Sequence, residues 1–368
     1  MRFAVVCPHY GYIRRGTENM TYDINKILLK HGHKIDVFSL AEGDDIVHVD
    51  GPRKDKGLGK LSDQLAERSL LGGFLRKYVG PPPHLEDLAF SLRLKTVFSP
   101  LHSNYDLLWC NAEYWETLMC NKLARKFNMP VLSFFGGGIS KMMQREAALL
   151  PDIFVVLAPT MRDWVKEKVP DCNVKCIPSG VDLSLFKEKT KPLFKKDELE
   201  HPIVVSTSAL IESKRIHLAI EAMEKLGKGT LVMTSNGPLR EALVEKGTKL
   251  LGNRFKYLGV IPFDHLPRLY NSADVFVLPS RNEPYGAVLF ESMACGTPVV
   301  AQRDVTREWM VGEGGILIDD LTEIDQFAQA IEEAHNKDFG DKTREQANKF
   351  SWEKTVEGYE KAIEEIMT

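Results

Sequence analysis

Two glutamates eight positions apart, Glu283 and Glu291, are the residues of this chain whose type and spacing most suggest chemistry. They lie in the segment RNEPYGAVLFESMACGTPVV, residues 281–300. After Pro284 the segment is predicted to be a helix, and from Ala287 to Cys295 it is apolar on nearly every side, a pattern typical of a buried helix. A carboxylate buried without a partner is costly, so Glu291 requires an explanation.

The amino end of this helix predicts a site for an anionic ligand. The strand DVFVLPS precedes it, so the free N–H groups of the first turn would lie near the carboxyl end of that strand, where N–H groups and the helix dipole favour an anion. Gly286 leaves room for a phosphate to approach the backbone closely. The residues of this first turn are Tyr285, Gly286, Ala287 and Val288.

Two interpretations of the glutamates stay open on the residues alone. In the first, Glu283 and Glu291 hold hydroxyl groups of a ligand whose phosphates lie between them. In the second, Glu283 only favours the positive end of the helix dipole, and Glu291 forms an ion pair with a buried arginine. The local pattern does not separate them.

The composition is that of an ordinary soluble globular protein of 368 residues, with 43% hydrophobic and 27% charged residues. The net charge of −3 argues against a dedicated nucleic-acid-binding protein, which usually carries a basic excess. The six cysteines form no disulfide framework, and Cys172 and Cys176 lack a second pair at zinc spacing, so no metal site is predicted. The first apolar run is too short for a signal peptide, and no stretch approaches the ~20 apolar residues of a membrane span. We therefore expect a cytoplasmic protein.

The charge is uneven along residues 51–100, where nine lysines and arginines occur with five acidic residues. The simpler interpretation is a solvated insertion in the first domain. The second is a surface that contacts anionic lipid or an anionic acceptor, peripheral to the inner membrane face. The stretch from Arg53 to Lys60 is compatible with a lipid-linked acceptor, which we keep as a hypothesis.

Strands and helices are predicted to alternate along the chain except in residues 41–100, where glycines and prolines separate helical pieces near 61–78 and 84–96. Repeated strand–helix–strand order predicts parallel sheets covered by helices. The polar run of residues 185–200 is predicted to link two such α/β domains. A ligand would lie most naturally between the domains, outside the carboxyl ends of the strands.

Several segments resemble the large family 4 of retaining glycosyltransferases. The segment RLYNSADVFVLPSRNEPYGAVLFESMACGTPVVA, followed by REWMVGEGGILID, resembles the family signature, whose hallmark is two glutamates separated by seven residues. IPSGVDLSLF resembles the domain junction, SALIESKRIHLAIEA the phosphate-binding segment, and LVMTSNGPLRE and FKYLGVIP the next two strands with their loops. The resemblance is continuous from about residue 175 to residue 365 and weaker before it.

The resemblance implies an α/β protein of the GT-B fold, with two facing Rossmann-like domains of parallel strands. Residues 1–185 would form the N-terminal, acceptor-binding domain, and residues 190–345 the domain that binds the nucleotide sugar. Residues 346–368 would form a helix that crosses back to the first domain. The resemblance also implies no metal and no cofactor, because the nucleotide-diphosphate sugar is itself the donor substrate.

The resemblance also implies roles for individual residues. Glu291 would hold the ribose hydroxyls of the donor, Glu283 would lie near the transferred sugar, and Lys214 would neutralise the departing diphosphate. Glu283 and Lys214 are the residues expected to be catalytic; these enzymes retain the anomeric configuration without a clear protein nucleophile, so none is assigned. The other residues expected to bind the donor are Ser208, Arg215, Gly16, Val260, whose backbone would contact the nucleobase, and the backbone of Tyr285, Gly286, Ala287 and Val288.

The sequence departs from the family pattern at three places. Ala209 stands where an arginine usually lies five residues before the lysine, although Arg215 is adjacent to Lys214 and could compensate. Phe135 or Gly136 falls where a histidine usually follows the PV strand. The entrance loop near the N-terminus keeps one glycine of the usual pair.

These features predict a retaining glycosyltransferase that moves a sugar from a nucleotide-diphosphate sugar to a glycan, lipid-linked or small-molecule acceptor. One alternative is a non-catalytic sugar-nucleotide-binding protein or partner subunit of the same fold, supported by Ala209 and the missing histidine. Another is a nucleotide-sugar epimerase, which needs a titrating base near the sugar and is weakened by the same missing histidine. Turnover separates them, because a binding protein would release no nucleoside diphosphate.

Overall fold

The computed structural model describes residues 1–11, 16–49, 85–111, 113–195, 197–281, 283 and 285–367. The chain forms two compact units. Unit 1 consists of Met1–Pro178 and Thr355–Thr368, and unit 2 of Ser179–Lys354. The helix predicted near 61–78 and the basic stretch from Arg53 to Lys60 lie outside the described residues.

Unit 1 is built around a seven-stranded parallel sheet in the order β3-β2-β1-β4-β5-β6-β7. Its strands are β1 Arg2–Val6, β2 Lys34–Ser39, β3 Ile46–His48, β4 Leu107–Cys110, β5 Val131–Phe135, β6 Ile153–Val156 and β7 Val174–Cys176. Every residue of β4, β5 and β6 is buried, as expected for a parallel sheet covered by helices on both faces.

Helices connect these strands. Among the described residues they are α1 Gly16–Lys30, α2 Leu85–Phe98, α3 Tyr114–Phe127, α4 Lys141–Ala147 and α5 Pro159–Lys168. α3 lies between β4 and β5, in agreement with the predicted alternation of strands and helices. The helix ends at Asn128, whose φ of 49° lies in the left-handed region that often closes a helix.

Unit 2 contains a second parallel sheet, of six strands, in the order β10-β9-β8-β11-β12-β13. Its strands are β8 Ile203–Ser206, β9 Thr230–Met233, β10 Phe255–Tyr257, β11 Val275–Leu278, β12 Val299–Gln302 and β13 Gly315–Ile318. The strand order reverses between β8 and β11. This reversal places the loops after these two strands side by side.

The helices of unit 2 include one that is shorter than predicted. Among the described residues the helices are α6 Ile216–Leu226, α7 Arg240–Leu251, α8 Leu266–Tyr270, α9 Val288–Ala294, α10 Val305–Val311, α11 Ile324–Asn336 and α12 Lys342–Asn348. The predicted first turn, Tyr285 to Val288, is not helical, because Gly286 has a φ of 88° that a right-handed helix does not allow. The helix therefore begins at Val288.

The last helix, α13 Trp352–Met367, begins in unit 2, and its residues from Thr355 onward belong to unit 1. Its buried face packs Tyr359 against Trp109, with the ring centroids 4.6 Å apart. The predicted fold class is thus confirmed in its elements: two Rossmann-like units with parallel sheets and a C-terminal helix that returns to the first.

Two glutamates of unit 1 are buried with unpaired carboxyl oxygens. Glu116 on α3 is 1% exposed, and neither of its carboxyl oxygens has a hydrogen-bond partner within the described ranges. Burial, and then the nearby charge of Asp87, raises the pKa of Glu116 well above 4.5. Burial likewise raises the pKa of Glu146 on α4. Both carboxyls hold their protons to higher pH in the folded protein than in the unfolded chain.

Above about pH 4.5 the folded protein should therefore bind more protons than the unfolded chain, and its stability should fall as the pH rises. Glu116→Gln replaces one of these carboxyls with a neutral amide of similar size. We expect an unfolding midpoint in urea near that of the wild type at pH 4.5 and a higher midpoint at pH 8. The exposed variant Glu357→Gln should keep the wild-type pH dependence. Parallel midpoints of Glu116→Gln and wild type at every pH would contradict the assignment.

Candidate functional site

The site predicted in unit 2 lies at the carboxyl edge of its sheet, where the strand order reverses. From β8 the sheet extends to β9 and β10 on one side, and from β11 to β12 and β13 on the other. β8 and β11 are adjacent and parallel, with Val204 opposite Val275 and Val205 opposite Phe276. Ligands of doubly wound sheets bind at such a reversal, outside the carboxyl ends of the strands.

An ion pair between Lys214 and Glu283 joins the segment after β8 to the segment after β11. Lys214 ends the 3₁₀ helix Glu212–Lys214, and its side chain is 21% exposed, against 9% for Glu283. Because α9 begins only at Val288, Glu283 lies outside the first turn in which a helix dipole acts. The structure therefore gives Glu283 a cation as its partner rather than a helix end.

Glu291 on α9 is held by Tyr270, the last residue of α8. The Tyr270 hydroxyl donates to Oε2 of Glu291 at 2.8 Å. Thr207 is the residue directly after β8, and its hydroxyl lies 3.0 Å from the hydroxyl oxygen of Tyr270. Tyr270 is completely buried, whereas Glu291 is half-buried. The partner of Glu291 is thus a neutral hydroxyl group and not the buried arginine of the alternative interpretation.

This environment makes Glu291 titrate near neutral pH. Burial raises the pKa of its carboxyl from 4.5 to about 7, and the hydrogen bond from Tyr270 acts in the opposite direction. Burial and the nearby Glu291 raise the pKa of Tyr270 well above 10, so the phenol keeps its proton and remains the donor. No hydrogen bond among the described residues uses the second carboxyl oxygen, Oε1.

Three serine hydroxyls at the same edge are buried and have no hydrogen-bond partner in the part of the chain that the structure describes. Ser206 ends β8, Ser208 lies two residues further on, and Ser280 follows β11. Ser206 and Ser280 are 1% exposed and Ser208 is 6% exposed. Unpaired buried polar groups are rare in native proteins and call for a ligand, a water or a function. Ser208 is among the residues predicted to bind the donor, whereas Ser280 was not predicted.

Two arginines support the loops at this edge. Arg215, with a φ of 47°, donates from Nε to the Pro279 carbonyl at 2.8 Å and from a terminal nitrogen to the Gln302 side chain. Burial lowers the pKa of its guanidinium. Arg307 is 2% exposed and donates to the Ser280 carbonyl at 3.0 Å. Both guanidinium groups position the residues that follow β11.

The backbone from Gly286 to Val288 carries N–H groups that no hydrogen bond among the described residues uses. A Cβ on Gly286 would lie 3.2 Å from Cγ of Glu283, so glycine is favoured there both by its φ and by this close approach. Tyr285 is 7% exposed, and its hydroxyl donates to the Ser179 carbonyl at 2.6 Å. The segment is thus anchored by a side chain at one end and offers backbone donors at the other.

The other two predicted residues lie further from the ion pair in sequence. Val260 follows β10 with its side chain 72% exposed. The Gly259 carbonyl before it accepts from the Ser235 N–H at 2.8 Å and from the Thr234 hydroxyl at 2.6 Å, which fixes this loop beside the end of β9. Gly16 is the first residue of α1 in unit 1, and a Cβ added there would meet nothing within 4 Å.

The structure thus brings Lys214 into contact with Glu283 and places Ser208 and Glu291 at the same edge. Sequence reasoning missed Tyr270 and Thr207. Tyr270 lies 21 residues before Glu291, on another helix, so no local spacing links the two. A tyrosine in the segment just before a glutamate that interrupts an apolar helix is the sequence signal that could have been followed.

The described residues contain neither a metal-ligand cluster nor a membrane-spanning helix. No group of three or more histidine, cysteine, aspartate or glutamate side chains there is arranged to hold a metal ion. No helix in those same ranges combines the length and the apolar character needed to cross a membrane.

Residues 201–337 match the family model described as glycosyl transferases group 1. Among curated relatives, the lipopolysaccharide core biosynthesis glycosyltransferase LpsE of Rhizobium meliloti (strain 1021) is 35% identical over 135 residues, which are 36% of this chain and 39% of that protein. The chain spans between 36% and 56% of the length of LpsE and two other such relatives.

Two solved structures share the fold over nearly their full length. The sucrose-phosphate synthase from Thermosynechococcus elongatus superposes with a TM-score of 0.75 at 20% identity, covering 99% of this chain and 98% of that one. Anabaena Alr3699/HepE in complex with UDP gives a TM-score of 0.71 at 18% identity, covering 99% of each chain. At these identities the likeness shows the fold, and it confirms the predicted GT-B class.

Tyr270→Phe removes the hydroxyl that holds Glu291 and keeps the buried ring. Because this hydrogen bond lowers the pKa of Glu291, we expect that pKa to rise above about 7 in the variant. An NMR titration of protein labelled with ¹³C at the glutamate carboxyls measures it, and Glu291→Gln assigns the resonance. Tyr257→Phe, which removes a hydroxyl bonded to the Ser235 carbonyl, is the matched control and should leave the pKa unchanged. A lower or equal pKa in Tyr270→Phe would show that the tyrosine does not stabilise the carboxylate.

Proposed function

We propose that this protein is a retaining glycosyltransferase of family 4 that moves a sugar from a nucleotide-diphosphate sugar to an acceptor. The observation that carries the proposal is the position of two contacts, the Lys214–Glu283 ion pair and the hydrogen bond from Tyr270 to Glu291. Both lie at the edge of the sheet where the strand order reverses between β8 and β11. The match of residues 201–337 to the group 1 glycosyl transferases includes all four residues. Both lines of support lie in unit 2.

Glu291 would bind the ribose of the donor. Its Oε2 is occupied by Tyr270, so the carboxylate presents Oε1 in a fixed orientation to a ribose hydroxyl. Hydrogen bonds to an ionised acceptor are stronger than those between neutral groups. Since the pKa of Glu291 is about 7, donor affinity should rise as the pH rises through neutrality.

The diphosphate would lie against Lys214 and the N–H groups of Gly286, Ala287 and Val288. When the bond from the anomeric carbon to the phosphate oxygen breaks, the electron pair stays on that oxygen, and preorganised donors stabilise the charge. In the structure the ammonium group of Lys214 is paired with Glu283. A diphosphate carries more negative charge than one carboxylate and would draw the ammonium towards itself.

The acceptor oxygen would form its bond to the anomeric carbon on the face that the phosphate leaves, while its proton passes to the departing phosphate oxygen. Attack on this face retains the configuration. Glu283 would lie beside the transferred sugar, and no residue is assigned as a nucleophile. No metal is needed for this neutralisation, because Lys214 and the backbone donors supply it. Alr3699/HepE has been solved in complex with UDP and with UDP-glucose, so a UDP-sugar is the first donor to test.

A non-catalytic sugar-nucleotide-binding protein is the second candidate, and Ala209 favours it. This residue stands where an arginine would add a second cation beside the phosphates. Arg215 is adjacent to Lys214, but its guanidinium is engaged with Pro279 and Gln302. A protein of this kind would bind the nucleotide without releasing nucleoside diphosphate.

The proposal is tested by nucleoside diphosphate release from UDP-, GDP- and ADP-sugars, with and without acceptor extracts. We expect slow release from one donor by the wild type and faster release with acceptor. Glu283→Gln keeps the size of the side chain and removes its charge, and should reduce release by about a hundredfold or more. Glu212→Gln alters an exposed glutamate in the same 3₁₀ helix as Lys214 and should keep wild-type release.

Tight binding of one nucleotide with no release under any condition would replace the transferase with the binding protein. Equal release by wild type and Glu283→Gln would remove Glu283 from the reaction. Product of inverted anomeric configuration, read by NMR, would disprove the retaining mechanism while leaving the transferase in place.

Glu291→Gln separates donor binding from stability. Loss of the carboxylate should weaken UDP binding about tenfold or more, measured by calorimetry at pH 8. The pKa of Glu291 is raised to about 7 in the folded protein, so its ionisation there destabilises the fold. The free energy of unfolding therefore falls as the pH rises through that value. The variant should therefore unfold at a higher temperature than the wild type at pH 8, but not at pH 5. Unchanged affinity in a destabilised variant would make Glu291 a structural residue.

Acceptor binding by residues 1–185, a cytoplasmic location and peripheral membrane contact through residues 51–100 stay predictions. Residues 51–84 of that stretch lie outside the described part of the chain. Cosedimentation with anionic liposomes tests the membrane contact, and no binding at low salt would remove it.

A further inference from the structure

Ser235 has a backbone conformation that disfavours a side chain, at the edge of the candidate site. Its φ is 91°, in a region that glycine adopts readily and other residues rarely. It lies two residues after the end of β9, the strand next to β8 in the sheet. Strain of this kind persists only where the surrounding structure enforces it, and it is concentrated at functional sites.

Two hydrogen bonds enforce the conformation of Ser235. Its N–H donates to the Gly259 carbonyl at 2.8 Å, and its own carbonyl accepts from the Tyr257 hydroxyl at 2.9 Å. Both partners lie at the end of β10. Ser235 is thereby fixed beside the loop that carries Val260, whose backbone is proposed to contact the nucleobase.

The residues that follow Ser235 pack on the phosphate-binding segment after β8. The Leu210 N–H donates to the Asn236 carbonyl, and the Leu239 N–H donates to the Leu210 carbonyl, both at 3.0 Å. A Cβ on Gly237 would lie 2.4 Å from the Leu210 carbonyl oxygen, so the two backbones are in direct contact. Ser235 therefore lies between the proposed nucleobase loop and the proposed phosphate segment.

The Ser235 hydroxyl contributes nothing to the fold that glycine would lack. It is half-exposed, and no hydrogen bond to it occurs within the described residues. Glycine at this position would make the same two backbone hydrogen bonds without the strain. Serine is therefore explained by a contact with a molecule that binds at this edge.

We propose that the Ser235 hydroxyl hydrogen-bonds the nucleoside portion of the sugar nucleotide and contributes to donor recognition. The inference rests on the proposed function and adds a binding residue to the same site. The Ser235 N–H donates to the Gly259 carbonyl, so Ser235 lies beside the loop after β10 and not beside the residues after β11. This position limits the contact of its hydroxyl to the base or the ribose.

Two substitutions separate the hydroxyl from the strain. Ser235→Ala removes the hydroxyl and keeps the strained φ, whereas Ser235→Gly removes both. We expect each to weaken binding of the preferred nucleoside diphosphate about three- to tenfold, the effect of one hydrogen bond. The affinity for the corresponding nucleoside monophosphate should fall by the same factor. Ser235→Gly should unfold at a higher temperature than either Ser235→Ala or the wild type.

Lys189→Gly is the matched control, because Lys189 is exposed and has a φ of 60°. It should relieve strain without changing nucleotide affinity. Wild-type affinity in both Ser235 variants would overturn the inference and leave the proposed function standing. Weaker binding by Ser235→Gly alone would also overturn it, since backbone rigidity and not the hydroxyl would then matter. If the wild type binds none of UDP, GDP and ADP, the proposed function fails, and the inference fails with it.

Discussion

The reversal of strand order between β8 and β11 is the constraint on which the candidate site depends. Crossover connections between parallel strands are right-handed, so a sheet that grows first on one side and then on the other leaves an opening at the carboxyl ends of its two central strands. The contacts at this edge join residues that follow those strands or pack against them. Among them are the contacts of Lys214 with Glu283 and of Thr207 and Glu291 with Tyr270.

The two glutamates at this edge have different kinds of partner, and the difference matters for their chemistry. Glu283 is paired with an ammonium group, which compensates its charge directly. Glu291 receives a hydrogen bond from a phenol, which satisfies one oxygen but leaves the charge uncompensated, so burial raises its pKa to about 7. A bound donor would interact with the ammonium group of Lys214 beside Glu283, and one of its hydroxyl groups would donate a hydrogen bond to Glu291.

Several features that cost stability lie at this edge of unit 2. The hydroxyls of Ser208 and Ser280 are buried without a hydrogen-bond partner among the described residues, Glu291 is half-buried with a raised pKa, and Ser235 has a strained φ. Proteins depart from local rules of stability mainly where function requires it. Glu116 of unit 1 shows that one such departure is not sufficient, since its unpaired carboxyl lies within the packed interior. Several departures from these rules, found together where the strand order of a doubly wound sheet reverses, do indicate a site.

The sequence by itself determined the alternating elements, because apolar periodicity and turn residues act over a few positions. It also determined Glu283 and Glu291 as candidates, since their spacing lies within one segment. Only the tertiary structure decided that α9 begins at Val288, that Tyr270 holds Glu291, and that Ser235 is strained. The contact of Tyr270 with Glu291 and the conformation of Ser235 depend on packing between segments about 20 or more residues apart. Contacts at that separation follow from how the elements fold together and leave no local pattern in the chain.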